Sequence, residues 1–275
     1  MASEGLQGHR ARKRFGQNFL HDRHWIERIA KAVNATEGDD IVEIGPGQAA
    51  LTRELIAGAG KVRAVEIDRD LAAWLKETFP ESLSLIEADA LTLDWTQVAK
   101  NDNLRVVGNL PYNISSPLLF KLLEAADHVK DQHFMLQKEV VDRMVAQHGS
   151  KTYGRLSVML QWRYRMRKLF DVPPGAFNPP PKVMSSVVRM IPKTKEEVPS
   201  VDFELFSSVV ANAFSQRRKT IRNALSALLS AEEIAACDVD PGARAEALPL
   251  DAFVRLAQKA EALGRKVVTP GTTVD

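Results

Sequence analysis

The sequence predicts an α/β fold, with a Rossmann-like parallel sheet followed by a small helical domain. In the first half of the chain, apolar runs alternate with segments of helical periodicity, as in a doubly wound sheet. These runs lie at 41–44, 61–67, 83–87 and 104–108. The first run ends in the turn Gly45-Pro46-Gly47, at the strand edge where such sheets bind ligands.

Composition excludes several classes of protein. The 275 residues, 45% of them hydrophobic, are enough for one large globular domain and a small one. The net charge of +2 is too small to indicate nucleic-acid binding, so any basic signal has to be local. The single cysteine, Cys237, excludes an internal disulfide and a multi-cysteine metal site. No apolar run approaches the roughly 18 residues of a membrane span, so we expect a cytoplasmic protein without membrane contact.

A basic arm is predicted at residues 1–21. It contains Arg12, Lys13 and Arg14, with phenylalanines at 15 and 19. Cations interleaved with aromatic residues suit contact with RNA phosphates, although charge alone is also typical of a solvated terminus. Asp22 is placed to cap the helix that follows.

The glycine turn differs from a dinucleotide site in two ways. Position 50, where the motif G-x-G-x-x-G has its third glycine, is an alanine, Ala50. A phosphate bound at this turn would also lie beside the carboxylate of Glu43. A cationic ligand suits Glu43 better, and S-adenosylmethionine carries a sulfonium and an ammonium group. An acid followed by G-x-G at the end of the first strand resembles motif I of the class I methyltransferases. The alternative is that both glycines only allow the chain to turn.

Acidic residues also follow the second and third strands. Glu66 is placed to accept hydrogen bonds from a ribose diol, since a carboxylate offers two acceptor oxygens. We expect Asp68 to cap the next helix. Asp89 either accepts a hydrogen bond from an adenine amino group or is an ordinary loop acid.

The fourth strand opens into Asn109-Leu110-Pro111-Tyr112, the most specific chemical signal in the chain. The motif suits methylation of the exocyclic amine of adenine. This amine is a poor nucleophile because its lone pair is delocalised into the ring. Neutral acceptors on both N–H bonds favour a pyramidal nitrogen, and the Asn109 oxygen with a carbonyl of Leu110 or Pro111 can supply them. Tyr112 offers a flat face for an everted base. The alternative is a proline-containing turn with a buried tyrosine.

A second aromatic residue, Phe177, lies in a turn with five prolines between Pro173 and Pro181. Prolines fix the backbone in advance, so an aromatic presented here loses little entropy on binding. Phe177 therefore either stacks on the face of the base opposite Tyr112, as a second aromatic wall, or anchors the hairpin as a buried side chain.

The second half of the chain supplies the remaining elements. A helix is predicted from Ser115-Ser116-Pro117. Further strands are predicted at 133–137, 164–172 and 183–191, and helices at 138–146, 153–162, 202–214, 219–229, 231–237 and 252–262. The charged segment 192–200 marks a boundary. The predicted domains are the arm at 1–21, the Rossmann-like domain at 22–191, the helical domain at 201–268 and a tail at 269–275.

A second basic cluster comprises Arg217, Arg218, Lys219 and Arg222. No acid stands among these residues to balance them, which favours RNA backbone contact over an exposed polar face.

Taken together, these motifs resemble the KsgA/RsmA family of ribosomal RNA adenine N6,N6-dimethyltransferases from about Arg12 to Asn223. The resemblance rests on the order and spacing of Gly16-Gln17-Asn18-Phe19-Leu20, Glu43-Ile44-Gly45-Pro46-Gly47, Glu66-Ile67-Asp68, Asp89-Ala90, Asn109-Leu110-Pro111-Tyr112-Asn113-Ile114-Ser115-Ser116-Pro117, Phe177-Asn178-Pro179-Pro180-Pro181-Lys182-Val183 and Ser215-Gln216-Arg217-Arg218-Lys219.

The resemblance implies a function and a set of site residues. The substrate would be two adjacent adenosines in the last hairpin loop of 16S rRNA, within an immature small ribosomal subunit. The methyl donor would be S-adenosylmethionine, with no metal, and we expect a monomer. The implied donor-binding residues are Asn18, Leu20, Gly45, Glu66, Asp89 and Asn109.

Three alternatives stay open at this point. One is a methyltransferase of the related Erm group, which modifies large-subunit rRNA and gives macrolide resistance. Another is a ribosome assembly factor whose binding role outweighs catalysis. A nicotinamide oxidoreductase is disfavoured by Ala50 and Glu43.

Overall fold

A computed structural model of the chain describes residue 6 and residues 16–270. The predicted RNA contacts Arg12, Lys13 and Arg14 lie outside these residues. The predicted α/β fold is confirmed. The strands are β1 Phe19–Leu20, β2 Ile41–Ile44, β3 Val62–Glu66, β4 Leu83–Glu87, β5 Leu104–Asn109, β6 Val129–Gln137, β7 Tyr164–Val172, β8 Phe177–Asn178 and β9 Ser185–Pro192.

Seven of these strands form one sheet in the order β4-β3-β2-β5-β6-β9-β7. The first five are parallel, and β9 runs antiparallel to β6. Because β2, β3 and β5 are central, nearly all of their residues are buried. Strands β1 and β8 form a separate antiparallel pair.

The helices are α1 Arg23–Val33, α2 Ala50–Ala59, α3 Arg69–Thr78, α4 Trp95–Val98, α5 Ser115–Leu122, α6 Lys138–Met144, α7 Arg155–Arg163, α8 Phe203–Ala213, α9 Ile221–Ala224, α10 Ala231–Ala235 and α11 Leu250–Ala262. Asp22 and Asp68 cap α1 and α3 as predicted, accepting hydrogen bonds from the His24 and Asp70 amides. No helix in the described part of the chain is long and apolar enough to span a membrane.

The helix predicted at 219–229 is shortened to the four residues of α9, so that prediction is wrong in length. The backbone amides of Ile221 and Arg222 donate to Ala243 and Pro241, which fixes where the helix begins. Ser226 Oγ donates to the Asn223 carbonyl at 3.2 Å and competes with continuation of the helix.

A buried ionic cluster centred on Arg105 ties β5 to β6 and to the end of α1. The guanidinium donates to both carboxylate oxygens of Asp131, at 2.9 and 3.0 Å, and to the Val33 carbonyl at 2.5 Å. It also donates to Asp39 at 2.7 Å. Burial alone would raise the pKa of Asp39, but hydrogen bonds from Thr36 and Arg105 lower it to about 2. Each of these buried charges therefore has a partner, as burial requires.

The contacts group the chain into two compact units. The first unit comprises the chain up to Val141 together with Arg165–Pro192. The second unit comprises Asp142–Tyr164 together with the chain from Lys193 onward. The sequence prediction instead keeps 142–164 within the domain at 22–191. In the second unit, Trp162 packs against Phe203 and Phe206 with ring centroids 5.4 and 5.5 Å apart, which explains why α7 groups with α8.

A candidate active site at the carboxyl edge of the sheet

A cavity of about 360 Å³ lies where the parallel strands end. The strands run in register, with Ile44 opposite Gly108 and Glu66 opposite Glu87, so the residues that follow them meet at one edge. Nine of the predicted site residues line the cavity: Asn18, Leu20, Gly45, Glu66, Asp89, Asn109, Leu110, Pro111 and Tyr112.

The glycine turn has a backbone that glycine adopts readily. Gly45 and Gly47 have φ of 67° and 55°, in the left-handed region. A Cβ on Gly47 would lie 3.0 Å from Cδ1 of Phe19, because the phenylalanine ring lies directly against the turn. The second glycine is therefore needed both for its backbone angle and for its lack of a side chain.

Glu66 connects the end of β3 to this turn. Its carboxylate accepts hydrogen bonds from the amides of Gly47 at 3.3 Å and Asp68 at 2.9 Å. Glu66 is only 5% exposed, and burial raises the pKa of its carboxyl group despite these bonds. A carboxylate can accept about four hydrogen bonds, so capacity remains for the predicted contact with a ribose diol.

Glu43 is a second buried acid at the end of β2. It lines the cavity and accepts a hydrogen bond of 2.6 Å from Thr52 Oγ1 in α2. Burial raises the pKa of Glu43 to about 7, against the effect of the Thr52 hydrogen bond and with a further contribution from Glu66. A cation near this carboxyl group would favour its charged form.

Asn109 is held in one orientation by the segment before β1. Its Nδ2 donates to the main-chain carbonyl of Asn18 at 3.1 Å. A carbonyl can only accept, so this contact fixes which end of the carboxamide is nitrogen and leaves Oδ1 as an acceptor. The Pro111 carbonyl already accepts from the Ile114 amide at 3.2 Å, but its oxygen has a second lone pair, so the Leu110 and Pro111 carbonyls both stay candidates for the second acceptor.

The two predicted aromatic walls differ in position. The Tyr112 hydroxyl lies 2.7 Å from Ser185 Oγ, which holds the ring at the cavity, and burial raises the pKa of the phenol. Phe177 is 2% exposed, pairs with Leu20 between β1 and β8, and belongs to the hydrophobic core. It is not among the described residues that line the cavity. Its burial favours the anchoring interpretation over the stacking one.

The remaining acid, Asp89, is half-buried in the cavity wall. Its Oδ1 accepts a hydrogen bond of 2.9 Å from the Leu91 amide, which fixes the carboxylate at the end of β4. Both interpretations of Asp89 stay compatible with this position. No group of three or more acidic, histidine or cysteine side chains that could hold a metal occurs in the part of the chain that the structure describes.

Two cavity residues were not singled out in the sequence. His133 on β6 is 2% exposed, and burial lowers its pKa to about 4, so the imidazole is neutral at pH 7. Gln17 donates to Asp68 Oδ2 at 3.1 Å and ties the segment before β1 to the cap of α3. His133 follows the polar residues 130–132 and begins the predicted strand at 133–137, so no local signal marked it as a cavity residue, and Gln17 depends on a contact 51 positions away.

The basic cluster of the second unit is exposed. Arg217 forms an ion pair of 3.3 Å with Glu246 and donates to the Lys151 carbonyl at 2.8 Å. One of the four cations of the cluster is therefore balanced by an acid that is distant in sequence. Arg218, Lys219 and Arg222 form no ion pair among the described residues.

Comparison with known proteins adds three findings. A family model described as ribosomal RNA adenine dimethylase matches residues 8–261. A protein of Thiobacillus denitrificans named ribosomal RNA small subunit methyltransferase A is 57% identical over 241 residues, covering 87% of this chain and 94% of that protein. A protein of the same name from Pseudomonas aeruginosa is 52% identical over 265 residues, covering 95% and 99%.

Solved structures give the same picture of the fold. A dimethyladenosine transferase from Plasmodium falciparum matches with a TM-score of 0.79 and 25% identity, over 91% of this chain and 100% of that one. The 23S rRNA methyltransferase ErmE matches with a TM-score of 0.68 and 26% identity, over 89% of this chain and 100% of that one. A similar fold therefore occurs in a dimethyladenosine transferase and in a 23S rRNA methyltransferase.

The raised pKa of Glu43 predicts a pH-dependent stability. Between pH 4.5 and 7 the unfolded chain has already lost the Glu43 proton while the folded chain retains it, so the free energy of unfolding falls as pH rises. The fall is roughly 3 kcal/mol and is complete above pH 7. Urea denaturation should show that Glu43→Gln lacks this contribution, whereas the exposed Glu37→Gln control retains it. Parallel pH profiles for all three proteins would contradict the account.

Replacing Gly47 should weaken donor binding as well as the fold. In Gly47→Ala the new Cβ meets Phe19, so we expect an affinity for S-adenosylmethionine about tenfold lower by calorimetry. Gly60→Ala is the matched control, because Gly60 has a similar φ of 80° but nothing within 4 Å of the added Cβ. Both variants lose about 1–3 kcal/mol of stability, because alanine rarely adopts either positive φ. Equal donor affinities in the two variants would rule out the steric explanation.

Proposed function

The chain belongs to the ribosomal RNA adenine dimethylase family, and we propose that it methylates N6 of two adjacent adenosines in the 3′-terminal hairpin loop of 16S rRNA. The choice of the small subunit is supported by relatives more than half identical to this chain, which are named small subunit methyltransferases. The Erm-type alternative has only a similarity of fold at 26% identity to support it.

The cavity suits S-adenosylmethionine as the methyl donor. We assign Gly45 and the turn to close contact with the donor, Glu66 to its ribose, and Asp89 to its adenine amino group. We also assign Asn18, Leu20 and Asn109, which line the same cavity, to the donor. Glu43 faces the same cavity and offers a negative charge to a cationic ligand. The donor supplies an activated methyl group, and the protein needs only to bind and orient it.

The observation that carries the catalytic assignment is the hydrogen bond from Asn109 to Asn18. It leaves Oδ1 of Asn109 and a carbonyl of Leu110 or Pro111 to accept both amino hydrogens of the adenine, while Tyr112 stacks on the ring. Two acceptors that engage both hydrogens favour a nitrogen lone pair directed away from the ring plane.

Methyl transfer then needs no covalent enzyme intermediate. The N6 lone pair forms the new N–C bond as the C–S bond breaks, and the sulfur keeps the electron pair as a neutral thioether. The methylated amine is acidic and loses its proton to water, so no strong base is required. Proximity and orientation supply much of the rate. A second transfer requires room for the first methyl group in place of a hydrogen.

The partner is proposed to be an immature small ribosomal subunit, approached by a monomer in the cytoplasm. The exposed cations Arg218, Lys219 and Arg222 support contact with RNA phosphates in the second unit. The arm residues Arg12, Lys13 and Arg14 are proposed to do the same.

The function is tested by mapping methyl transfer. Purified protein incubated with labelled donor should place label on N6 of adjacent adenosines of immature small subunits and leave large subunits unlabelled. Asn109→Ala should reduce turnover about 100-fold or more, because it removes an acceptor that acts in the transition state. The exposed Asn103→Ala is the control and should retain full turnover.

Other outcomes point to the alternatives. Label in large subunits would support the Erm-type function. An Asn109→Ala variant that binds particles normally and methylates at the wild-type rate would remove Asn109 from the mechanism. A wild-type protein that binds particles without transferring label would support an assembly role.

A further inference from the structure

A second cavity, of about 320 Å³, lies wholly within the helical unit. It is formed by the segment between α6 and α7, by α7 itself and by the start of α11. Its wall includes Tyr153, Gln161 and Asp251 together with the prolines Pro199 and Pro249. The methyl-transfer mechanism uses none of these residues.

The polar groups of this cavity have a defined hydrogen-bonding capacity. Gln161 donates both amide hydrogens, to the carbonyls of Met144 at 2.9 Å and Ala146 at 2.8 Å. Its Oε1 is therefore left as an acceptor of fixed orientation. Asp251 bonds Arg255 through Oδ2 at 2.5 Å and retains Oδ1 as a further acceptor.

Tyr153 adds a buried hydroxyl that has no hydrogen-bond partner among the described residues. The side chain is only 6% exposed, and a buried polar group without a partner destabilises a fold. Burial, with a contribution from Asp251, raises the pKa of this phenol, so it remains a neutral O–H group. An arrangement of this kind is explained if the hydroxyl acquires a partner when a ligand binds.

The chemistry of the wall defines the ligand. Prolines, Val254 and the Tyr153 ring offer apolar surface, and His148 also lines the cavity with its ring centroid 6.5 Å from that of Tyr153. Among the polar groups, Gln161 Oε1 and Asp251 Oδ1 can only accept hydrogen bonds. A flat heteroaromatic ring with an exocyclic amine matches both properties, because its face is apolar and its edge donates hydrogen bonds.

The cavity adjoins the basic cluster. Arg217 donates to the Lys151 carbonyl at 2.8 Å and pairs with Glu246, whose own carbonyl accepts from the Gly149 amide at 2.7 Å. Lys151 is two positions from Tyr153, a separation of at most about 7 Å along the chain. One cation of the basic cluster, Arg217, is therefore bonded to the segment that carries Tyr153, which places this end of the cluster beside the cavity.

We propose that this cavity binds one unpaired nucleobase bearing an exocyclic amine, adenine, guanine or cytosine, from the rRNA strand whose phosphates contact the basic cluster. The inference rests on the proposed function, since it requires rRNA to be the partner. It adds to that function a site of base recognition separate from the adenosines that are methylated.

The test uses the full chain with immature small subunits. Ultraviolet crosslinking followed by mass spectrometry should identify a nucleotide attached to the peptide that contains Tyr153. Tyr153→Phe keeps the ring and removes only the hydroxyl, and Asp251→Asn removes the charge. Each should bind particles about 3- to 10-fold more weakly, as expected for one lost hydrogen bond. Donor affinity should not change.

Two controls separate binding from folding. Tyr153→Phe removes a buried hydroxyl without a partner, so the free protein should be at least as stable as wild type, and unfolding cannot explain weaker binding. Glu124, like Asp251, is an exposed carboxylate that forms an ion pair with a nearby cation in sequence, here Lys121. The Glu124→Gln variant should therefore bind particles as wild type does.

The outcomes distinguish this inference from the proposed function. If wild type methylates small subunits but both variants bind like wild type and no Tyr153 crosslink forms, the base site is wrong and the proposed function stands. If wild type neither binds nor methylates small subunits, both fail.

Discussion

The hydrogen bond from Asn109 Nδ2 to the Asn18 carbonyl is the contact on which the site depends. It determines the orientation of the carboxamide, and it does so through residues 16–20, a segment 91 positions away in sequence. That segment is itself held at several points. Gln17 bonds Asp68, the Phe19 ring lies against Gly47, and Leu20 pairs with Phe177. The cap of α3, the glycine turn and the proline-rich loop therefore all contact the segment that keeps this acceptor in place.

Burial of charge shapes the same site. Glu43 and Glu66 lie at the ends of adjacent parallel strands, and burial raises the pKa of both. Each accepts hydrogen bonds, from Thr52 in one case and from two backbone amides in the other. Desolvating two neighbouring acids costs stability, and a ligand with positive charge and hydroxyl donors recovers part of it. The acids therefore favour a cationic nucleoside over an anionic phosphate.

Local signals made much of the fold and site predictable. The apolar runs, the glycine turn and the caps Asp22 and Asp68 depend on neighbours within a few residues, and the structure confirms them. The acids and Asn109 follow strand ends, and a parallel sheet brings strand ends together. This explains why nine of the predicted site residues line one cavity.

Contacts between distant segments were not predictable. The pairing of β1 with β8 buries Phe177. The sequence around Phe177 was equally compatible with stacking on a base and with anchoring the hairpin. The start of α9 is fixed by contacts with the loop at 241–243, which no helical periodicity reveals. The balance of charge at Arg217 depends on Glu246, 29 positions away. In each case the deciding partner is remote in sequence, and composition near the residue carries no information about it.

A structure of the chain bound to the demethylated donor product and a short RNA containing the target adenosines tests the central claim most directly. The account predicts that Asn109 Oδ1 lies about 2.7–3.2 Å from N6 of the everted adenine, while Nδ2 retains its bond to the Asn18 carbonyl. An Asn109 side chain turned away from the base, or one that presents Nδ2 to N6, would contradict it.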